Sequence, residues 1–207
     1  MRLEADWAVE IGPGLPVIDA LWPGYIDLAA TPDRIGEIQE AIRYPSLAQA
    51  LLQINQSNTD PASGDSGGFW TTKCDLWEPD NWDPYEMDAS EEQAQAAMAC
   101  YIDILPRSAG AHACFRQWQN AEQCARELAV AIRKRELAAA RIDCIVRSCI
   151  AQSTDARTQE GFGITLYLTS CGADQEAASR TLSAALQIAT ESLTVMHHSP
   201  TNLLPLQ

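Results

Sequence analysis

The segment from residue 137 to residue 196 constrains the fold more than any other part of the chain. Two alternating stretches, RIDCIVRSCIA and GFGITLYLTSC, precede ADQEAASRTLSAALQIATESL, whose apolar residues recur with helical spacing. A change from a period of two to a period of about 3.6 predicts two strands followed by a helix that packs on one face of their hairpin. We therefore predict an α+β fold: an antiparallel sheet with helices packed mainly on one face, and a C-terminal β-hairpin followed by a helix.

The same alternation assigns the two faces of the hairpin. One face is apolar, and we expect it to form the core beneath the last helix. The other face carries charged and polar side chains together with large groups that prefer cover to water. It meets either solvent or a protein surface, such as a peptide or a second subunit. The candidate binding residues on this face are Arg141, Ile145, Arg147 and Tyr167.

Charge narrows the class of partner. The chain has 28 acidic and 14 basic residues, which gives a formal net charge of −14. Such a surface repels phosphate backbones and anionic lipids, so we expect neither nucleic acid nor a membrane as partner. It favours a basic protein partner, or simply keeps the protein in solution. With 207 residues and 46% apolar composition, we expect residues 1–207 to form a single domain.

Cysteine usage and the N-terminal residues predict a cytoplasmic location. The seven cysteines form no CxxC pair and no regular spacing, which favours reduced thiols over a disulfide framework. The first residues, MRLEADWAVEIGPG, are acidic and contain no apolar run, so they do not resemble a secretory signal. No set of histidines and cysteines has metal-ligand spacing, so we expect no metal and no other cofactor.

The N-terminal half gives weaker signals. Three prolines in residues 11–28 permit at most an edge strand or an extended arm. A helix is predicted to begin at Thr31, with Ile35, Ile38 and Ile42 as its apolar stripe, and to end or kink at Pro45. A second helix then follows, and its apolar stripe is Leu47, Leu51 and Ile54.

The middle of the chain alternates loops with regular elements. We predict a flexible loop at residues 56–68, a strand at 69–77, and a long helix at 111–136. Residues 91–105 suit a helix followed by a short strand, and Ser90 with Gln93 matches a capping box at its start. The tail, residues 197–207, is predicted to be loosely held.

The strongest compositional anomaly lies between Lys73 and Arg107. No basic residue occurs there, whereas nine acidic residues do, interleaved with aromatic ones that include Trp77 and Trp82. Carboxylates beside aromatic rings suit a cationic partner, so these two tryptophans are further candidate binding residues. The alternative is a solvated acidic loop that its tryptophans anchor to the body. The order of oxygen ligands does not match a calcium-binding EF-hand.

No catalytic motif is present. The sequence lacks the G-x-S-x-G elbow, the glycine-rich dinucleotide fingerprint and the phosphate-binding loop. His112 and Cys114 are two residues apart, which points their side chains in different directions on a helix. Asp174, placed between a strand and a helix, is explained as an ordinary helix cap.

The order of a long helix, two strands and a terminal helix, in an acidic chain, resembles that of the secretion-chaperone α+β folds. The resemblance covers topology and charge, and a fold does not define a function. We predict a non-enzymatic protein-interaction module, chaperone-like or self-associating. The alternative is an enzyme or small-ligand-binding domain whose carboxylates and cysteines converge only in the folded chain.

Overall fold

The computed structural model describes residues 17–19, 26–56, 69–106, 115–152 and 158–198. Two short 3₁₀ helices, Pro32–Glu37 and Pro84–Met87, accompany the elements named below. The described strands are β1 (Val17–Asp19), β2 (Phe69–Trp77), β3 (Ala96–Pro106), β4 (Ala140–Gln152) and β5 (Thr158–Gly172). The described α-helices are α1 (Gln39–Arg43), α2 (Pro45–Gln56), α3 (Phe115–Arg133) and α4 (Gln175–His198).

The strands form one sheet in the order β1-β4-β5-β3-β2. Neighbouring strands from β4 to β2 are antiparallel, and β4 with β5 forms the predicted hairpin. The short strand β1 pairs in parallel with β4 at one edge of the sheet. An edge position is what the prolines of residues 11–28 predicted, because proline cannot donate a ladder hydrogen bond.

Helices cover one face of the sheet, here called the inner face, as predicted. Alternate residues of β3, β4 and β5 point into this core, and α2, α3 and α4 contribute their apolar stripes to it. The result is an α+β fold built on a largely antiparallel sheet. Fully buried core side chains include Leu47, Leu51 and Ile54 of α2, Leu128 and Ile132 of α3, Ile142 of β4, Leu166 and Leu168 of β5, and Leu182 and Leu186 of α4.

The junction between β5 and α4 holds the last helix close to the sheet. Asp174 caps the helix, since its Oδ1 accepts a hydrogen bond of 2.7 Å from the backbone N–H of Ala177. The buried hydroxyl of Ser170 donates to the carbonyl of Ala178 at 2.9 Å. A Cβ added to Gly172 would lie 2.5 Å from the backbone nitrogen of Ala178. A glycine is therefore required where the strand and the helix approach most closely.

The first predicted helix is wrong in detail. Instead of one helix from Thr31, the chain forms the 3₁₀ helix Pro32–Glu37, breaks at Ile38 and continues as α1. A 3₁₀ helix has about three residues per turn, so the break rotates the following residues out of the expected stripe. Ile35 and Ile38 still pack against the core, whereas Ile42 is 60% exposed.

The helix predicted at the start of residues 91–105 is also wrong. Residues 91–93 form a turn that β3 follows, and the backbone N–H of Gln93 donates to the carbonyl of Ser90 instead of entering a helix. Ala97, Met98 and Ala99 are buried on both faces of β3, so the sequence shows no alternation there. The alanine-rich composition then favoured a helix.

The remaining elements agree with prediction where they can be compared. The strand at 69–77 and the helix after Pro45 are confirmed, and α3 lies within the predicted range 111–136. Residues 57–68 of the predicted flexible loop and residues 199–207 of the predicted tail lie outside the described residues.

Replacing Gly172 by alanine should lower the free energy of unfolding by about 1–3 kcal/mol, because the new methyl group overlaps the backbone of α4. Urea unfolding measures the change. Gly36→Ala is the matched control, since nothing lies within 4 Å of a Cβ there. That control should change stability by less than about 1 kcal/mol. Equal effects of the two variants would contradict the close approach at Gly172.

Candidate functional site: the outer face of the sheet

The face opposite the helices, here called the outer face, brings residues of four strands together. Three neighbouring rows of described residues run across this face from β4 to β2. The first row is Ile145, Thr165, Asp103 and Lys73; the second is Asp143, Tyr167, Tyr101 and Asp75; the third is Arg141, Thr169, Ala99 and Trp77.

An aromatic cluster occupies the middle of the outer face. The rings of Tyr101 and Tyr167 are cross-strand neighbours with centroids 5.6 Å apart, tilted by 47°. The ring of Trp77, on β2, lies 6.2 Å from that of Tyr101. Both tyrosines are half-buried, and Trp77 is 37% exposed. Tilted aromatic pairs at these distances are favourable, so the three rings support one another across β2, β3 and β5.

Two cations lie against the tyrosines. The guanidinium carbon of Arg147 is 5.3 Å from the ring centroid of Tyr167, and its Nη2 donates to the hydroxyl of that tyrosine at 2.9 Å. The ammonium of Lys73 lies 6.0 Å from the ring centroid of Tyr101. These are cation–π distances, and Lys73 is exposed whereas Arg147 is half-buried.

A buried carboxylate lies next to this cluster. Asp103 is only 7% exposed, and the hydroxyl of Thr165 donates to its Oδ1 at 2.5 Å. Burial raises the pKa of Asp103, while the Thr165 hydrogen bond and the charges of Arg147 and Lys73 act in the opposite direction. Since burial is the largest effect, ionised Asp103 is less stable in the folded protein than in water.

The acidic segment closes one end of the outer face. Residues 78–95, here called the strap, fold back over the sheet beyond the third row. Arg141 binds the strap to the sheet, because its Nη1 lies 2.6 Å from Glu86 Oε2 while its Nε donates to Asp143 at 2.9 Å. The backbone N–H of Gln95 also donates to the carbonyl of Gly172 at 2.8 Å.

Beneath the strap is a second, smaller core. Met87, Ala89 and Ala94 of the strap pack with Ala97 of β3 and Cys171 of β5, all of them buried, and Trp82 packs against this group. The strap's carboxylates remain outside it. The exposed acidic residues of the strap are Glu78, Asp80, Asp83, Glu86, Asp88, Glu91 and Glu92.

The structure thus separates the six candidate residues. Arg141, Ile145, Arg147 and Tyr167 lie on the outer face, and β2 adds Trp77 to it. Trp82 is half-buried against the second core, where it anchors the strap.

Sequence reasoning did not place Lys73, Tyr101 and Asp103 on this surface. Their alternation within β2 and β3 would place them on one face once both segments are recognised as strands. Their proximity to Tyr167 depends on the order and register of the strands in the sheet, and the sequence carries no signal for strand order or register.

The described cysteine thiols have low reactivity at neutral pH. Burial raises the pKa of Cys74, Cys124 and Cys144 to about 12, and it also raises that of Cys100 and Cys171. At neutral pH these groups are protonated and are poor nucleophiles. Within the described ranges, no three residues among histidine, cysteine, aspartate and glutamate are placed to hold a metal ion. His112 and Cys114 lie outside the described residues.

The sequence matches no protein-family model, and comparisons with curated proteins and with solved structures found no significant match. Among the described helices, none combines the length and the apolar composition that crossing a membrane requires.

Substituting Asp103 by asparagine should stabilise the protein at pH 7. Asparagine keeps an acceptor for the Thr165 hydroxyl and removes the buried charge. The folded-state pKa of Asp103 is above the unfolded value of 3.8. As pH rises from 3.8 through the folded-state pKa, ionisation of Asp103 therefore lowers the stability of the wild type, and the variant lacks this contribution. Below pH 3.8 the stability advantage of the variant should vanish.

Urea unfolding across a pH series tests this prediction. Asp75→Asn, which changes an exposed carboxylate on the same face, is the matched control. An asparagine variant that is less stable than the wild type at pH 7 would show instead that Lys73 and Arg147 more than compensate the burial of the Asp103 charge.

Proposed function

We propose that this protein is a non-enzymatic protein-interaction module that binds its partner through the outer face. The observation that carries the proposal is the cluster of Trp77, Tyr101 and Tyr167 with Arg147 in the middle of that face. Tryptophan, tyrosine and arginine are the residues most enriched where protein interfaces gain their energy. Their half-exposed state leaves apolar area that a partner can bury.

The charge pattern supports a protein partner. The three rows contain the cations Lys73 and Arg141, and Arg147 lies beside them on the same face. The rows also contain three carboxylates, although the chain as a whole carries −14. A charge-balanced patch within an acidic surface lets another protein approach without strong repulsion. The exposed carboxylates of the strap border this patch and favour a partner with basic residues at its rim.

The chemistry of the site supports binding and not catalysis. The described cysteines are protonated at neutral pH, and the buried carboxylate of Asp103 accepts a hydrogen bond from Thr165. Small substrates need concave sites, whereas a face formed by rows of side chains across several strands suits a macromolecular partner. We also propose a cytoplasmic location, which the free state of the five described cysteines supports.

Removing the two central rings should weaken partner binding. Tyr101→Ser combined with Tyr167→Ser deletes most of the apolar area at the middle of the outer face. We expect partner affinity to fall by about tenfold or more, because truncating a central interface aromatic typically costs at least about 1–2 kcal/mol. Quantitative affinity purification from cells, followed by titration of the recovered protein, measures the loss.

Val130→Ser, which changes an exposed apolar residue of α3, is the control for that experiment. A protein recovered in stoichiometric amount with the wild type and the control, and lost with the double variant, supports the proposal. Equal recovery with all three chains would contradict it, and so would the absence of any stoichiometric protein. Thermal unfolding checks that the double variant is folded.

A further inference from the structure

Strand β2 forms one edge of the sheet. Its residues Lys73–Trp77 pair with β3 on one side, and no described strand pairs with the other side. The alternate backbone N–H and C=O groups of an edge strand point away from the sheet and can pair with another strand. The opposite edge is different, because there the sheet ends in the three-residue strand β1.

The charges of β2 suit a second copy of the same strand. Residues opposite each other in an antiparallel pair point to the same face of the sheet. Because side chains alternate between the two faces, two identical strands can pair only in registers in which opposite residues differ in number by zero or by an even number. One such alignment places Lys73 opposite Lys73 of the second copy, and another places Asp75 opposite Asp75 of the second copy. Like charges directly opposite are destabilising, which disfavours both.

The alignment between these two is complementary. With Cys74 opposite Cys74 of the second copy, Lys73 faces Asp75 of the second copy and Asp75 faces Lys73 of the second copy. Both side chains are exposed on the outer face, so both ion pairs can form. We propose that two copies of this chain pair through β2 in this register and form one continuous sheet around a two-fold axis.

The irregular part of β2 limits the contact. The register with β3 shifts between Thr71 and Lys73, which interrupts regular pairing at that point. The proposed pair is therefore short and centred on Cys74, and a two-fold axis uses the edge of each copy once. Such a contact closes on itself and produces a dimer instead of a fibre.

This inference deepens the proposed function, because it names one partner and enlarges the surface. Asp75 and Tyr101 are in the same row of the outer face, so pairing β2 strands joins the rows of both copies. The two aromatic clusters then flank the axis on one continuous face. A partner would meet two symmetric copies of the surface, which raises its apparent affinity.

Charge reversal tests the register. Lys73→Asp places aspartates opposite each other, and Asp75→Lys does the same with lysines. Sedimentation equilibrium should show the wild type approaching twice its mass of 22.6 kDa as concentration rises, and each variant alone remaining monomeric. An equimolar mixture of the two variants should recover the dimer, because every opposed pair then joins an acid to a base.

Cysteines placed at the exposed positions 73 and 75 give an independent test of the same register. Copper-catalysed air oxidation of an equimolar mixture of Lys73→Cys and Asp75→Cys chains should produce a disulfide-linked dimer, whereas neither variant alone should, because position 73 faces position 75 of the second copy. A charge-reversal mixture that does not recover the dimer, a cross-link that forms equally within either cysteine variant alone, or a wild type that stays monomeric would overturn the proposal. In the last case, a cellular partner lost with the tyrosine variants would still support the proposed function.

Discussion

The packing of α4 against the inner face is the interaction on which the rest of the structure depends. This helix contacts β3, β4 and β5 and also packs against α2 and α3, so it links the sheet to both of these helices. It can lie so close only because Gly172 has no side chain and because Ser170 binds the carbonyl of Ala178. Polar contacts at the α2 interface, where the Tyr44 hydroxyl donates to the carbonyl of Ser179 and bonds with Ser183 at 2.8 Å, fix its position further.

The concentration of these helices on the inner face leaves the outer face to other parts of the chain. The strap covers one end, where Trp82 and Met87 bury the side chains of Ala97 and Cys171. The middle is occupied by Tyr101 and Tyr167 in contact with charged neighbours. A surface that is anchored at one end and half-exposed in its middle is the physical basis for the proposed interaction.

Sequence periodicity predicted the parts of the fold in which one face is apolar and the other polar. The hairpin, α3 and α4 have this property, and their apolar residues, such as Leu166, Leu128 and Leu186, lie in the core. The start of β3 has apolar residues on both faces because the strap covers one of them, and therefore its alanines resembled a helix. A local sequence pattern cannot show that the strap buries this face of β3, because that burial depends on a contact between distant parts of the chain.

The candidate surface was predictable in part for the same reason. The outward direction of Arg141, Arg147 and Tyr167 follows from alternation within one hairpin. The contribution of Tyr101 and Lys73 follows from the order of strands in the sheet, which no local pattern encodes. The sequence shows Asp103 as one of nine acids in a segment without basic residues, whereas its burial beside Thr165 depends on the pairing of β3 with β5.

The central claim is that the middle of the outer face is accessible in the free protein, and hydroxyl-radical footprinting of the tyrosines tests it most directly. Tyr44, at 7% exposure, and Tyr85, at 68%, provide internal references for a buried and an exposed ring. The account predicts that Tyr101 and Tyr167 are modified at rates between these two. Modification of both rings as slow as that of Tyr44 would mean that the outer face is already covered, and would contradict the account.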